Sequence, residues 1–164
     1  VTGVIFTADN SWVSKAIRFI TRGKTSHAAL TSSIGGVPVL IHASIGGVQV
    51  TPRRKWLRSN RAVAEFVPAS GEGFDLGLAA RALGERYDYV SLLGFIPVLI
   101  ARRIGARIRN PFARSNATVC SEFVVRAAAG QGRLQALIGL DPERTTPQDL
   151  LRACEQESGL FRVE

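Results

Sequence analysis

The spacing of apolar residues changes period several times along the chain, and each change marks an element. Gly3-Val4-Ile5-Phe6-Thr7 is a short apolar run of the kind a buried strand carries. Asn10-Ser11 then offers a helix cap, and Trp12, Val13, Ala16, Ile17, Phe19 and Ile20 recur at the 3.6-residue period of an amphipathic helix that Gly23 closes. Ser26 to Ser33 and Val37 to Ser44 read as two strands joined by Ile34-Gly35-Gly36, and Gly46-Gly47 turns the chain into a third run, Val48 to Thr51. These three runs predict an antiparallel meander. Pro52 opens a short helix through Trp56-Leu57, Ala62 to Val67 is a further strand, and Phe74 to Leu83 reads as a helix stopped by Gly84.

From Tyr87 the pattern is helical, broken by Pro97 and Gly105 and ended at Asn110-Pro111. In the helix that follows, Thr118 is the cap and Cys120 falls in the first turn. Phe123, Val124, Ala127 and Ala128 form its buried face, and Gly130 closes it. The last helix starts at Thr146-Pro147-Gln148-Asp149, with a capping hydroxyl, proline at the first helical position and an acid three residues after the cap. It carries Leu150, Leu151 and Cys154. Strands clustered centrally with helices segregated around them predict an α+β fold. No internal repeat or low-complexity tract interrupts it.

Composition narrows the picture. At 164 residues the chain is expected to form one domain spanning residues 1–164. Its 46% hydrophobic content and mean hydropathy of +0.12 exclude a disordered chain. A core of this size needs no disulfide or metal to stand up. With 21 Lys+Arg against 13 Asp+Glu, the net charge is +8 and the pI about 10.7. That balance favours an anionic partner: phospholipid, nucleic acid or an acidic cell wall. The longest apolar run, Val90 to Ala101, contains Pro97 and ends at Arg102-Arg103, well short of the roughly 18–20 residues of a spanning helix. The chain therefore reads as soluble or peripheral at a membrane. It opens without a signal-peptide pattern and lacks Met throughout, so its start reads as processed or trimmed, and its compartment stays open.

Only two His and two Cys exist, so cysteine or metal chemistry can be enumerated. A thiolate is stabilised by the positive end of a helix, which is where Cys120 sits and Cys154 does not. Such a nucleophile needs a base that takes its proton, and imidazole suits neutral pH. His27 and His42 are the candidates. The base is in turn held by a third polar group. No Asp or Glu lies between Asp9 and Glu65, so an orienting group on the neighbouring strand would be His42. His27 begins one strand and His42 ends the next, ends that meet in an antiparallel hairpin. With Cys120 as nucleophile and His27 as base, Cys120 Sγ is expected within hydrogen-bond reach of His27, with His42 on the far side of the ring. Taken singly, each residue also has a structural reading: a histidine at a strand end, a small buried cysteine. No Cys or His pair has the close spacing of a zinc module, so neither a metal nor a cofactor is expected. A Cys120 to Cys154 disulfide has little to recommend it in a chain that does not need one.

Taken in order, these pieces resemble a family. Gly3-Val4-Ile5-Phe6, an amphipathic helix, Thr25-Ser26-His27, a Gly-containing turn, His42-Ala43, Gly47-Val48, Trp56, Gly84-Glu85-Arg86-Tyr87-Asp88 and Cys120-Ser121-Glu122 are similar to the YiiX/YebB-like permuted papain-fold enzymes. These are circularly permuted relatives of the NlpC-type cell-wall hydrolases and of the lecithin retinol acyltransferase group. The resemblance runs to about Val125. It implies a papain-like fold with an antiparallel meander or barrel against helices, Cys120 as nucleophile, His27 as base and His42 as orienting residue. Many YiiX-like members carry Glu where this chain has His42, so the implied triad is Cys-His-His. An aromatic often precedes the Cys-Ser pair, whereas Thr118-Val119 does here. The oxyanion then falls to the backbone N–H of Cys120, with Tyr87 and Ser121 as further candidates around the pocket.

Papain-like sites act on acyl groups through an acyl-enzyme. The resemblance embraces peptide and amide hydrolysis as well as lipid deacylation and acyl transfer. Between Tyr89 and Ser121 there is no acid, and the apolar run is followed by Arg102, Arg103, Arg107, Arg109 and Arg114. Apolar residues beside arginines suit an anionic lipid interface, which favours an acyl-lipid substrate over a peptidoglycan or peptide amide. The alternative is that Leu92, Leu93, Phe95, Ile96, Leu99 and Ile100 pack a core helix. Arg53, Arg54, Lys55, Arg58 and Arg61 read as a solvated face. A non-enzymatic nucleic-acid-binding module is the rival class, but no helix-turn-helix, zinc finger or aromatic-rich sheet is readable.

Overall fold

The structure, a computed structural model, describes residues 2–44, 47–71, 73–84, 120–130, 132–142 and 144–163. In chain order the elements are β1 (Gly3–Ala8), α1 (Trp12–Thr21), β2 (His27–Ile34), β3 (Val37–Ser44), β4 (Gly47–Pro52), α2 (Arg53–Trp56) and β5 (Arg61–Pro68). After them come α3 (Leu76–Arg81), α4 (Cys120–Ala129), α5 (Gln135–Ile138), α6 (Pro147–Gln156) and β6 (Leu160–Arg162). Residues 85–119, with Tyr87, Arg102, Arg103, Arg107 and Thr118, lie outside the described residues. Among the described residues, no helix is long and apolar enough to cross a membrane.

The strands form one sheet in the order β4-β3-β2-β1-β5-β6, with every pairing antiparallel. The expected meander is β2-β3-β4. Its first turn is Gly35-Gly36, whose φ angles of 57° and 80° give the two positive values that a tight hairpin of matching twist requires. β1 lies between β2 and β5 and is buried along its whole length, which is why its sequence is an apolar run without alternation. A Cβ at Gly3 would overlap the Phe66 carbonyl oxygen of β5. Gly3→Ala is therefore expected to cost about 1–3 kcal/mol, read as a lower melting temperature by circular dichroism.

Strand alternation divides the core between the two faces of the sheet. Val4, Phe6, Ala28, Leu30, Ile41 and Ala43 join Phe123, Val124, Ala127 and Ala128 of α4 and Leu150 and Leu151 of α6 in the main cluster. Ile5, Ala29 and Leu40 pack with Trp56 and Leu57 in a second, smaller one. The helix α2 that carries Trp56 is tied to β5 by a two-pronged ion pair, Arg53 Nη1 and Nη2 to Glu65 Oε1 and Oε2 at 2.8 and 2.7 Å.

Two helix ends differ in detail from the sequence pattern. At the end of α1 the left-handed residue is Arg22, at φ 50°, not Gly23. Glycine is required at 23 for close approach, because a Cβ there would lie 2.6 Å from Gln148 Oε1, which also accepts the Lys24 N–H at 2.7 Å. The helix read from Phe74 starts at Leu76, since the Asp75 side chain accepts the Leu78 N–H and caps it there. α6 has the expected capping box between Thr146 and Asp149 with Pro147 in its first turn.

Candidate active site

β2 and β3 pair from Leu30↔Ile41 outward to their turn, whereas β2 pairs with β1 from His27 onward. At its first residues β2 therefore has β1 on one side and an opening toward β3 on the other. α4 begins at this opening. Its first residue, Cys120, is buried, and its sulfur accepts the backbone N–H of Ala28. A strand N–H lies in the plane of its sheet, so the sulfur sits at that level, one residue along the chain from His27. The Ser121 hydroxyl donates to the Thr145 carbonyl at 2.6 Å, fixing the start of α4 against the loop before α6. Of Ser121, only the backbone N–H is turned to the sulfur. Glu122 in the same turn pairs with Arg126 at 2.6 Å.

His27 and His42 do meet. Their ring centroids are 5.5 Å apart in an edge-to-face arrangement, and Trp56 packs against both, at 5.1 Å from His27 and 4.3 Å from His42. His42 is wholly buried, and its Nε2 lies 3.0 Å from Thr51 Oγ1, which fixes that end of the ring. The remaining nitrogen, His42 Nδ1, and Nε2 of His27 are buried and have no hydrogen-bond partner among the described residues. Alternation puts His27 on the Trp56 side of β2, opposite Ala28 and Leu30, which face α4. Among the described residues no hydrogen bond joins Cys120 Sγ to either imidazole, nor one imidazole to the other. The sulfur and His27 are thus neighbours across a strand end, without the direct hydrogen bond expected from sequence.

The electrostatics follow from burial. Desolvation, then the His42 ring, push the His27 pKa down to about 3, against the opposing pull of the Asp9 carboxylate. Burial alone takes His42 to about 4. The Cys120 thiol is pushed up by burial, partly offset by the N–H groups of Ala28, Ser121 and Cys120 itself. At neutral pH the site therefore rests as a thiol and two neutral imidazoles. In an unfolded chain both imidazoles would take up protons near pH 6.5. The unfolded state then binds more protons below that pH, so stability falls as pH drops from about 6.5 toward 4. Melting temperatures measured between pH 7 and 5, above the carboxylate range, should decline, and His27→Asn/His42→Asn should flatten the decline.

Thr51 and Asp9 were not foreseen from the sequence, and Trp56 was noted there without a place beside the histidines. Thr51 holds His42; the β3–β4 register, with His42 opposite Gln49, places Thr51 on the same face two residues on. Trp56 fixes both rings, and its Nε1 reaches Thr7 Oγ1 at 3.4 Å. Asp9 follows the Thr7↔His27 pair, and its charge faces His27. Burial raises the Asp9 pKa, but hydrogen bonds from Ser11 and Ser14 and the nearby imidazole outweigh it, so the carboxyl is held below its usual value. Cys154 lies in the main core, its thiol pushed up by burial and by Glu157 and Glu155.

No family model matches the sequence, and no curated protein does. Among solved structures, the chain is similar to the crystal structure of metalloprotein YiiX from Escherichia coli O157:H7, DUF1105. The TM-score is 0.64 at 17% identity, covering 99% of this chain and 94% of that one. The chain has a YiiX-like α+β fold.

Proposed function

We propose that the protein is a cysteine-dependent acyl hydrolase or acyltransferase in which Cys120 is the nucleophile, His27 the base and His42 the residue that positions the base. The observation that carries this reading is the Cys120 sulfur on the Ala28 N–H, beside a histidine whose Nε2 is buried and has no hydrogen-bond partner among the described residues. The thiol proton passes to His27 Nε2 as the sulfur attacks the acyl carbonyl carbon. The bond to the leaving group breaks, and that group takes the proton from the imidazolium. Water or an acceptor hydroxyl or amine then cleaves the thioester. N–H groups at the start of α4 are the donors for the developing oxyanion.

YiiX is described as a metalloprotein. In this chain, among the described residues, no group of three or more His, Cys, Asp or Glu is placed to hold a metal ion, and none enters the steps above. An acyl lipid is the favoured substrate, on the acid-free stretch around Arg102, Arg103 and Arg107 in the sequence and the anionic surface it suits. Peptide or muropeptide amides are the competing substrates. The test is labelling with an acyl-type cysteine probe, followed by turnover of phospholipid and muropeptide panels. Labelling at Cys120 with phospholipid turnover is expected. Turnover of muropeptides alone would transfer the reading to amide hydrolysis, and labelling confined to Cys154 would end it.

A further inference from the structure

A cleft of about 420 Å³ opens where the end of α1, the start of β5, the last turns of α6 and β6 converge, and neither Cys120 nor either histidine lines it. Its apolar lining includes buried Ala64 and Leu151, while Lys24, Arg61, Arg162 and Glu155 line it exposed and Arg18 half-buried. Four cations thus share one cleft with a single carboxylate. The sheet helps to gather them: β6 runs antiparallel to β5, so Arg162 at the end of one lies toward Arg61 at the start of the other.

Two of the four are anchored on backbone. Arg18 donates from Nε to the Ser14 carbonyl at 3.3 Å and from Nη2 to the Asp9 carbonyl at 3.2 Å, and Arg162 Nη2 reaches the Val63 carbonyl at 3.5 Å. Each guanidinium keeps further N–H donors beyond those bonds. Among the described residues, the side chains of Lys24 and Arg61 make no hydrogen bond or ion pair, and Glu155 is paired with none of the four cations. Like charges gathered without a neutralising partner repel one another, and an anion in the cleft relieves that repulsion.

We propose that this cleft binds a phosphate ester that carries hydroxyl groups, as sugar and polyol phosphates do. The phosphate fits the cations. A monoester carries roughly −1.5 to −2 charge at neutral pH, and its oxygens accept from arginine forks. Cations alone would take any anion, and Glu155 supplies the selection. Its carboxylate repels a bare anion beside it but accepts hydrogen bonds from hydroxyls, so the ligand's phosphate falls toward the arginines and its hydroxyls toward α6. The cleft is larger than a bare phosphate needs and lies within the range of about 300–1,000 Å³ common to small-molecule sites. The proposal is independent of the cysteine mechanism.

The experiment is titration calorimetry of the full-length chain with glycerol 3-phosphate, inorganic phosphate and glycerol. Glycerol 3-phosphate is expected to bind more tightly than inorganic phosphate and glycerol not at all, with binding weakened by added salt. Lys24→Gln/Arg61→Gln, which removes no contact within the described fold, should weaken binding about tenfold or more. Arg54→Gln/Arg58→Gln removes the same charge from exposed residues outside the cleft and should leave it unchanged. Glu155→Gln should tighten inorganic phosphate and erase the preference for the ester. No binding of either phosphate, equal weakening by the two double variants, or an ester preference unmoved by Glu155→Gln would overturn the proposal. Vesicles of phosphatidylcholine mixed with phosphatidylglycerol separate the two sources of this chemistry. Capture that is lost in Lys24→Gln/Arg61→Gln and kept in Arg54→Gln/Arg58→Gln assigns the site to a lipid headgroup; binding of the soluble ester without such capture assigns it to a free polyol phosphate.

Discussion

Cys120→Ala is expected to reduce turnover to background, a loss of roughly 10⁴-fold or more, with the melting temperature within a few degrees of the parent. Among the described residues the sulfur's partners are the N–H groups of Ala28, Ser121 and Cys120, and a methyl fits where a small buried thiol stood. Cys154→Ala is the matched control. Its thiol sits in the main core beside Glu155 and Glu157, whose charges hold the proton on it, so ester turnover should be unchanged. Parallel ester assays and thermal melts of both variants check this. Full activity in Cys120→Ala would put the chemistry elsewhere.

His27→Ala should approach the same loss, whereas His42→Ala should leave measurable turnover. In the proposed mechanism the base exchanges the proton directly, and the second imidazole acts through the first and contributes less. The structure sharpens the contrast. Among the described residues His27 Nε2 has no hydrogen-bond partner, while His42 is fixed by Thr51 at 3.0 Å and packs at 4.3 Å on Trp56. His42→Ala also opens a cavity in a fully buried position, so its melting temperature should fall more than that of His27→Ala. Asp9 is the remaining group whose charge acts on His27. Asp9→Asn should lower the pKa of the base and move the acid limb of the pH–rate profile down, with a small change in rate at neutral pH.

The strand pattern in the sequence was enough to place β1 to β5, because apolar runs and glycine turns are local signals. Cys120 at a helix start and His27 and His42 at adjoining strand ends were legible for the same reason. What sequence periodicity does not carry is direction. It finds the apolar arc of α1 but not that Ser14, on the other side, lies 2.6 Å from Ser26 through their hydroxyls. Nor does it carry the level at which elements cross. Ala28 meets the sulfur while His27 turns to Trp56, a result of strand parity combined with the entry point of α4. Thr51 and Asp9 entered the site through register, which depends on pairings across the sheet. Ser121 stood out beside Cys120, yet its hydroxyl is engaged by Thr145, a partner distant in sequence.

The central claim is that an acyl group passes through the sulfur of Cys120. Mass measurement of the intact protein, quenched in acid during turnover of a p-nitrophenyl ester, addresses it directly. One acyl adduct is expected, located on Cys120 by peptide mapping, removed by neutral hydroxylamine as a thioester is, and missing in His27→Ala. An adduct on Cys154, a hydroxylamine-stable adduct, or steady turnover without any adduct in the wild type and undiminished in Cys120→Ala would contradict it.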